Sequence, residues 1–235
     1  MMDKGLFIAG TDTGVGKTFL TGVLATLLRA RQIDVGVMKP VETGCPRVDG
    51  RLQPQDALEL KARAETGDSV NEICPYALEM PAAPSVAADA AGIVIDLDRI
   101  ATRFRHLAAR HQLTLVEGAG GVLVPLTDTA DTTDLIRQLD IPILVVARVA
   151  VGTINHTLLT WHWVKHLKLP VLGVVVNSPA GPPGPSEIAN LGALTTRLRA
   201  PFLGSLPYLP DAAYDLSVVE NSLGLNRLLE LLDLA

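Results

Sequence analysis

Gly10-Thr11-Asp12-Thr13-Gly14-Val15-Gly16-Lys17-Thr18 follows the apolar run Leu6-Phe7-Ile8-Ala9 and precedes the helix-like Phe19-Leu20-Thr21-Gly22-Val23-Leu24. Strand, glycine loop and helix in that order are what a phosphate-binding loop requires. The glycines turn backbone N–H groups inward around a triphosphate, Lys17 reaches the terminal phosphates, and the Thr18 hydroxyl can ligate magnesium at a helix N-terminus. Nucleotide binding is therefore the first expectation. Five residues separate Gly10 from Gly16, one more than in the general pattern, and Thr11 holds the usual glycine position.

Further reactive residues stand where other apolar runs end, the place where open α/β sheets gather their ligands. Lys39-Pro40-Val41-Glu42-Thr43-Gly44 follows Val35 to Met38. Lys39 reads either as a solvated surface lysine or as a second positive charge beside Lys17, holding a transferring phosphoryl group or an anionic substrate between them. Glu117 closes Leu113-Thr114-Leu115-Val116 and meets Gly118-Ala119-Gly120-Gly121. A carboxylate at the tip of an apolar strand is costly to bury without a positive partner, and magnesium is a natural one. Asp56, early in the helical pattern Gln55 to Ala64, is a second candidate ligand, although the helix dipole alone favours an acid there. Asn177 ends Val171 to Val176; its amide suits a purine edge and also suits a turn. Gly152-Thr153-Ile154-Asn155-His156 opens a helix that could receive an anion or simply be capped. His156, His162 and His166 have no Cys or acid at metal-ligand spacing and read as structural or surface residues. No nucleophile elbow is present in the sequence.

The elements that must position these residues alternate short β-branched runs with helical stripes, the pattern of an α/β fold: a mostly parallel sheet with helices on both faces. The expected strands are Leu6 to Ala9, Val35 to Met38, Leu113 to Glu117, Pro142 to Ala147, Val171 to Val176 and Phe202 to Leu206. Leu20, Val23, Leu24, Leu27 and Leu28 form one apolar stripe, and Ile100, Phe104, Leu107 and Ala108 another. A last helix is expected near Val218 to Leu232. Ser178 to Pro185 reads as a loop because proline removes backbone donors. The Pro- and Ala-rich segment Pro75 to Gly92 reads as either a lid or a connector.

With 235 residues and 48% hydrophobic content the chain suffices for one domain over residues 1–235. A net charge of -5 and a pI near 5.5 give no basic field for nucleic acid or anionic lipid, so small-molecule chemistry fits better. Two cysteines, Cys45 and Cys74, are too few for a disulfide framework, and Met1-Met2-Asp3-Lys4-Gly5 runs straight toward a strand without a cleavable signal. The longest apolar stretch, Ile141 to Val151, is interrupted by Pro142 and Arg148 and is too short to span a membrane. The expectation is a cytoplasmic protein that engages no membrane.

Taken together, the phosphate loop, Lys39 to Gly44, Val116 to Gly121, Gly152 to His156 and Val176-Asn177 closely resemble dethiobiotin synthetase, a family of the P-loop NTPase superfamily. The match runs in order past residue 207, and the five-residue spacing is that family's own variant. The resemblance implies an ATP- and magnesium-dependent ligase of biotin biosynthesis that closes a cyclic urea on 7,8-diaminononanoate (7,8-diaminopelargonate) with carbon dioxide, through a carbamate and a carbamic-phosphoric anhydride. It implies that Lys17, Lys39 and Thr13 serve catalysis, and that Thr43 binds substrate. Thr18, Asp56 and Glu117 would hold magnesium. The nucleotide would be bound by Gly14, Val15, Gly16, Lys17, Thr18 and Phe19, by Asp56, by Glu117, Gly118, Ala119 and Gly120, and by Asn177, Ser178, Leu206, Pro207 and Tyr208. Gly152, Thr153, Ile154 and Asn155 would receive the substrate's carboxylate tail from the other subunit of a homodimer. Gly14 departs from relatives that carry Glu in the loop, and Cys45 has no assignable role.

A partition or septum-positioning ATPase shares the phosphate loop and is the alternative. Such proteins resemble this chain but carry a lysine five positions before the loop lysine, where this sequence has Asp12. The acidic end Leu229-Glu230-Leu231-Leu232-Asp233-Leu234-Ala235 offers no basic amphipathic tail.

Overall fold

Every residue of Gly5–Gly10 (β1) is buried, as expected of a strand covered on both faces. The structure, a computed structural model, describes residues 4–209 and 215–234. β1 leads through the phosphate loop into Lys17–Ala30 (α1), then Val35–Met38 (β2). Next come two very short strand pairs' first members, Val41–Thr43 (β3) and Arg47–Val48 (β4), followed by Arg51–Leu52 (β5), Gln55–Ala64 (α2), Val70–Ile73 (α3), Tyr76–Leu78 (β6), Pro84–Ala90 (α4) and Leu97–Ala108 (α5). The second half alternates regularly: Leu113–Gly121 (β7), Thr132–Leu139 (α6), Ile143–Arg148 (β8), Thr153–His166 (α7), Val171–Asn177 (β9), Pro185–Arg197 (α8), Phe202–Leu206 (β10), Leu216–Ser222 (α9) and Leu225–Leu231 (α10).

The six expected strands form one sheet in the order β10-β9-β8-β1-β7-β2, and every pairing is parallel. Alternation along β1 divides the core. Phe7 faces a layer with Val116, Val145, Phe104, Ile136, Val164 and Leu194, whereas Leu6 and Ile8 face Leu115, Val146, Leu24, Leu60, Val219 and Leu228. Each such fully buried aliphatic or aromatic side chain stabilises the fold by roughly 1.5–3 kcal/mol relative to exposure. The chain leaves β1 for β2 on one side and later crosses to β8 on the other, so the loop after β1 sits where the strand order reverses.

Three expectations change. The glycines after Glu117 continue β7 to Gly121, with Gly121 in register with Gly10. Pro75 to Gly92 is ordered: β6 pairs with β3, α4 starts with Pro84 in its first turn, and Leu78, Ala87 and Ala88 are buried. The last helix is two helices. Gly224 N–H donates to Leu203 O at 2.5 Å and Leu223 pairs with Gly204, so the backbone turns toward β10 between them. Gly204 has φ 129°, and a Cβ there would lie 2.1 Å from Ser222 O. Among the described residues, no helix is long and apolar enough to cross a membrane.

At the amino end of the sheet, His111 stands between Asp34 (Nδ1···Oδ2 3.0 Å) and Asp68 (Nε2···Oδ2 2.9 Å). Arg110 reaches Asp68 and Glu72 at 2.6 and 3.0 Å. Glu72 also accepts from the Ser69 hydroxyl and N–H, 2.8 and 3.2 Å away. Those bonds, and then Arg110, hold its carboxyl down to about 2. This cluster ties the loop before α3 to the start of β7, far in sequence from the phosphate loop.

Candidate active site

The phosphate loop curls around the carboxyl end of β1 with Gly14 at φ 69° and Gly16 at φ 90°, conformations open to glycine. Gly16 is also the N-cap of α1, and no side chain caps that helix, so its first N–H groups point into the loop. Lys17 folds back over Gly10: its Nζ donates to Asp12 O at 3.2 Å and would lie 2.8 Å from a Cβ at Gly10. Burial, then the positive charge of Lys39, lowers its pKa to about 8 against the opposing pull of Glu117, Asp56 and Asp12.

Lys39, leaving β2, is 5% exposed and lies between two carboxylates: Glu117 Oε1 at 2.5 Å and Asp56 Oδ2 at 2.7 Å. Burial pulls its pKa down, but the two carboxylates outweigh it and the pKa is raised. Lys39 is therefore not a solvated surface lysine. Thr18 Oγ1 donates to the same Glu117 oxygen at 2.8 Å. Glu117 is fully buried, and its Oε2 is without a hydrogen-bond partner among the described residues. A buried carboxylate oxygen with an open lone pair, beside a hydroxyl and the half-exposed Asp56, is a hard-oxygen set suited to a small cation.

These residues line a cleft of about 370 Å³ together with Thr13, Gly14, Gly16, Val41, Glu42, Thr43, Ala119 and Gly120. Gly118 is buried below the wall, where a Cβ would meet the Phe7 ring at 2.8 Å. A second pocket of about 160 Å³ lies across Gly16 and is lined by Phe19, Asn177, Ser178, Pro179, Pro207, Tyr208 and Leu209. Val15 and Leu206 carry fully buried side chains, so only their backbones can face a ligand. Asn177 Nδ2 donates to Val15 O at 3.2 Å, which makes Asn177 a brace of the phosphate loop as well as a wall of the second pocket. The two pockets share Gly16 as a lining residue.

Gly152 to Asn155 begin α7 and do not line the main cleft. Gly152 has φ 94°, Thr153 is buried with its Oγ1 unpartnered among the described residues, and Asn155 is exposed. Glu42 is a site residue that residue-by-residue reading passed over. Its two carboxylate oxygens accept from Asp56 N–H and Ala57 N–H at 2.9 and 3.0 Å. Burial raises its pKa against these donors. The available sequence signal was Pro54 ahead of a helix, a position that leaves the first turn without a local cap. Asp12 binds its neighbour Thr13 N–H at 2.7 Å and lies 3.7 Å from Arg148.

A family model described as an AAA domain matches residues 4–214. The ATP-dependent dethiobiotin synthetase BioD of Bacillus licheniformis is 40% identical over 211 residues, covering 89% of this chain and 88% of that protein. Those of Thermodesulfovibrio yellowstonii and of Anaeromyxobacter sp. strain K are 39% and 42% identical, each covering 92% of the relative and 91% and 89% of this chain. Among solved structures, the MinC:MinD cell division protein complex of Aquifex aeolicus aligns with TM-score 0.55 and 17% identity over 94% of this chain and 87% of that one. A ParA family ATPase of Chlorobium tepidum aligns with TM-score 0.53 and 13% identity over 96% and 92%. At such identities these two show the P-loop NTPase fold and nothing of its use. The close relatives cover nearly the whole chain in both directions, and on that ground the chain belongs to the ATP-dependent dethiobiotin synthetase family.

Proposed function

We propose that this protein closes the ureido ring of dethiobiotin on 7,8-diaminononanoate, using carbon dioxide and ATP, as a step of biotin biosynthesis. The observation that carries the reading is Lys39, held by Glu117 and Asp56 in the wall of the same cleft that Lys17 lines. One substrate amine takes up carbon dioxide as a carbamate. A carbamate oxygen attacks the γ-phosphorus of ATP, ADP leaves, and a carbamic-phosphoric anhydride forms. The second amine then attacks the anhydride carbonyl and expels phosphate, closing the ring with loss of its protons.

Each species along this course is anionic, and two lysines aimed into one partly enclosed cleft lower the cost of bringing those charges together. Thr13 and Thr43 line the cleft and are the hydroxyls available to substrate and intermediate. The nucleotide is proposed to lie across Gly16, with its phosphates on Gly14 to Thr18 and its base against Asn177, Ser178, Pro207 and Tyr208. Thr18, Asp56 and Glu117, whose buried Oε2 has no partner among the described residues, would hold magnesium, which would supply charge neutralisation at the phosphates.

The substrate's carboxylate is proposed to dock at the start of α7 of a second subunit. That reading rests on the family resemblance and on Gly152 and Asn155, which are exposed at the start of α7 and stand clear of the chain's own cleft. The decisive assay mixes the protein with ATP, magnesium, bicarbonate and diaminononanoate. Phosphate release is expected only when the diamine is present, and its absence would sink the proposal.

A further inference from the structure

The first turn of α2 carries Asp56 but begins at Pro54, which offers no side-chain cap. Its orphan N–H groups are instead satisfied from another element: Glu42, in β3, takes Asp56 N–H on one oxygen and Ala57 N–H on the other. Glu42 is itself fixed. It is 6% exposed, stands opposite Ala77 in the β3–β6 pairing, and its carbonyl accepts from the Cys45 thiol at 3.4 Å.

A serine or aspartate at residue 54 would cap the helix locally. Capping from residue 42 does something more: Glu42 lies three residues beyond Lys39, across the bend at Pro40, so one side chain ties the segment that carries Lys39 to the helix that presents Asp56. Resting on the ligase reading above, we propose that Glu42 is a positioning residue that sets where the Asp56 carboxylate meets Lys39 and the phosphate-bound cation. Both its carboxylate oxygens are taken by the N–H groups of Asp56 and Ala57, so it acts through Asp56.

The test is a double-mutant cycle of Glu42→Gln and Asp56→Asn in the full-length protein. Glutamine keeps the shape but can present only one acceptor to the two N–H groups. Three readouts are taken: amide exchange at Asp56 and Ala57 in nucleotide-free protein, the tightening of a nonhydrolysable ATP analogue by magnesium, and diamine-dependent turnover. For Glu42→Gln, exchange at those two amides is expected to quicken about tenfold. Magnesium-dependent tightening and turnover should fall by roughly 10–100-fold, the usual cost of losing a group that orients a ligand. On the Asp56→Asn background, Glu42→Gln should change tightening by less than about twofold.

Full tightening in Glu42→Gln, unchanged exchange, or losses that multiply in the double variant would overturn the proposal. If Glu42→Gln does not fold, Glu42→Asp, too short to reach both N–H groups, is read by the same measures. A wild-type protein without diamine-dependent phosphate release defeats the ligase reading alone, since exchange and analogue binding still decide the role of Glu42.

Discussion

Lys39 Nζ and Glu117 Oε1 are 2.5 Å apart with both side chains removed from water, 78 residues apart in sequence. The pair joins the residue that follows β2 to the middle of the adjacent β7, where Met38 is in register with Val116, so the sheet register that builds the core also brings the lysine into the cleft. Cutting one partner leaves the other as an uncompensated buried charge. Lys39→Met is therefore expected to abolish turnover and to cost about 3–5 kcal/mol in urea unfolding. Adding Glu117→Gln should recover most of that stability without recovering turnover. A Lys39→Met protein as stable as wild type would show that the pair is not held as described.

Gly16 and Asn177 leave no room for a methyl group: a Cβ at Gly16 would lie 1.9 Å from Asn177 Nδ2. Gly16→Ala also imposes φ 90° on a residue with a side chain, a strain of roughly 1–3 kcal/mol. Calorimetry with an ATP analogue should show at least a tenfold loss of affinity. Asn177→Ala removes the brace on Val15 O but keeps the loop's backbone path, so its loss should fall mainly on discrimination between ATP and pyrimidine nucleotides.

The Ser69–Glu72–Arg110 contacts give a pH dependence far from the cleft. The Glu72 carboxyl is lowered from 4.5 to about 2, so the folded form binds fewer protons than the unfolded chain across that window. Its contribution is complete above pH 4.5 and is lost as pH falls toward 2. Thermal melts from pH 7 to pH 3 should show a stability decline that Glu72→Gln makes shallower, with the variant already less stable at pH 7. Parallel curves for the two proteins would contradict this.

A shared site predicts complementation. Lys39→Ala and Asn155→Asp proteins, each inactive at low diamine concentration, should regain about one quarter of wild-type activity after mixing and subunit exchange, because half the dimers then hold one intact site. No recovery despite exchange shown by mass spectrometry would place α7 outside the partner's site.

β1, β2, β7, β8 and β9 were legible because each carries a buried run of β-branched or aliphatic residues, while β10, only partly buried, was legible from its short apolar ends around Gly204-Ser205. Helix α2 was legible over its full length. β3 and β6 were not: three residues carry too little alternation to register, and their pairing bridges an Ala- and Pro-rich segment without a clear period. The last helix was read as continuous because its leucines repeat, while its break depends on Gly204, twenty residues earlier. In the site, Lys17, Thr18, Lys39 and Glu117 could be picked out at strand ends. Asp56 gained weight only from resemblance, and Glu42 was passed over, since its role depends on a β3–α2 contact that no local pattern encodes.

The break between α9 and α10 has an effect beyond local geometry. β10 is a border strand of the sheet, and a border of unpaired N–H and C=O groups is a template on which another chain can add. By placing Leu223 antiparallel to Gly204 and donating Gly224 N–H to Leu203 O, the interrupted helix occupies part of that border with the chain's own backbone. An unbroken helix would leave that border open; the interruption instead caps part of it, at Leu203 and Gly204, where an added strand would otherwise find free N–H and C=O groups.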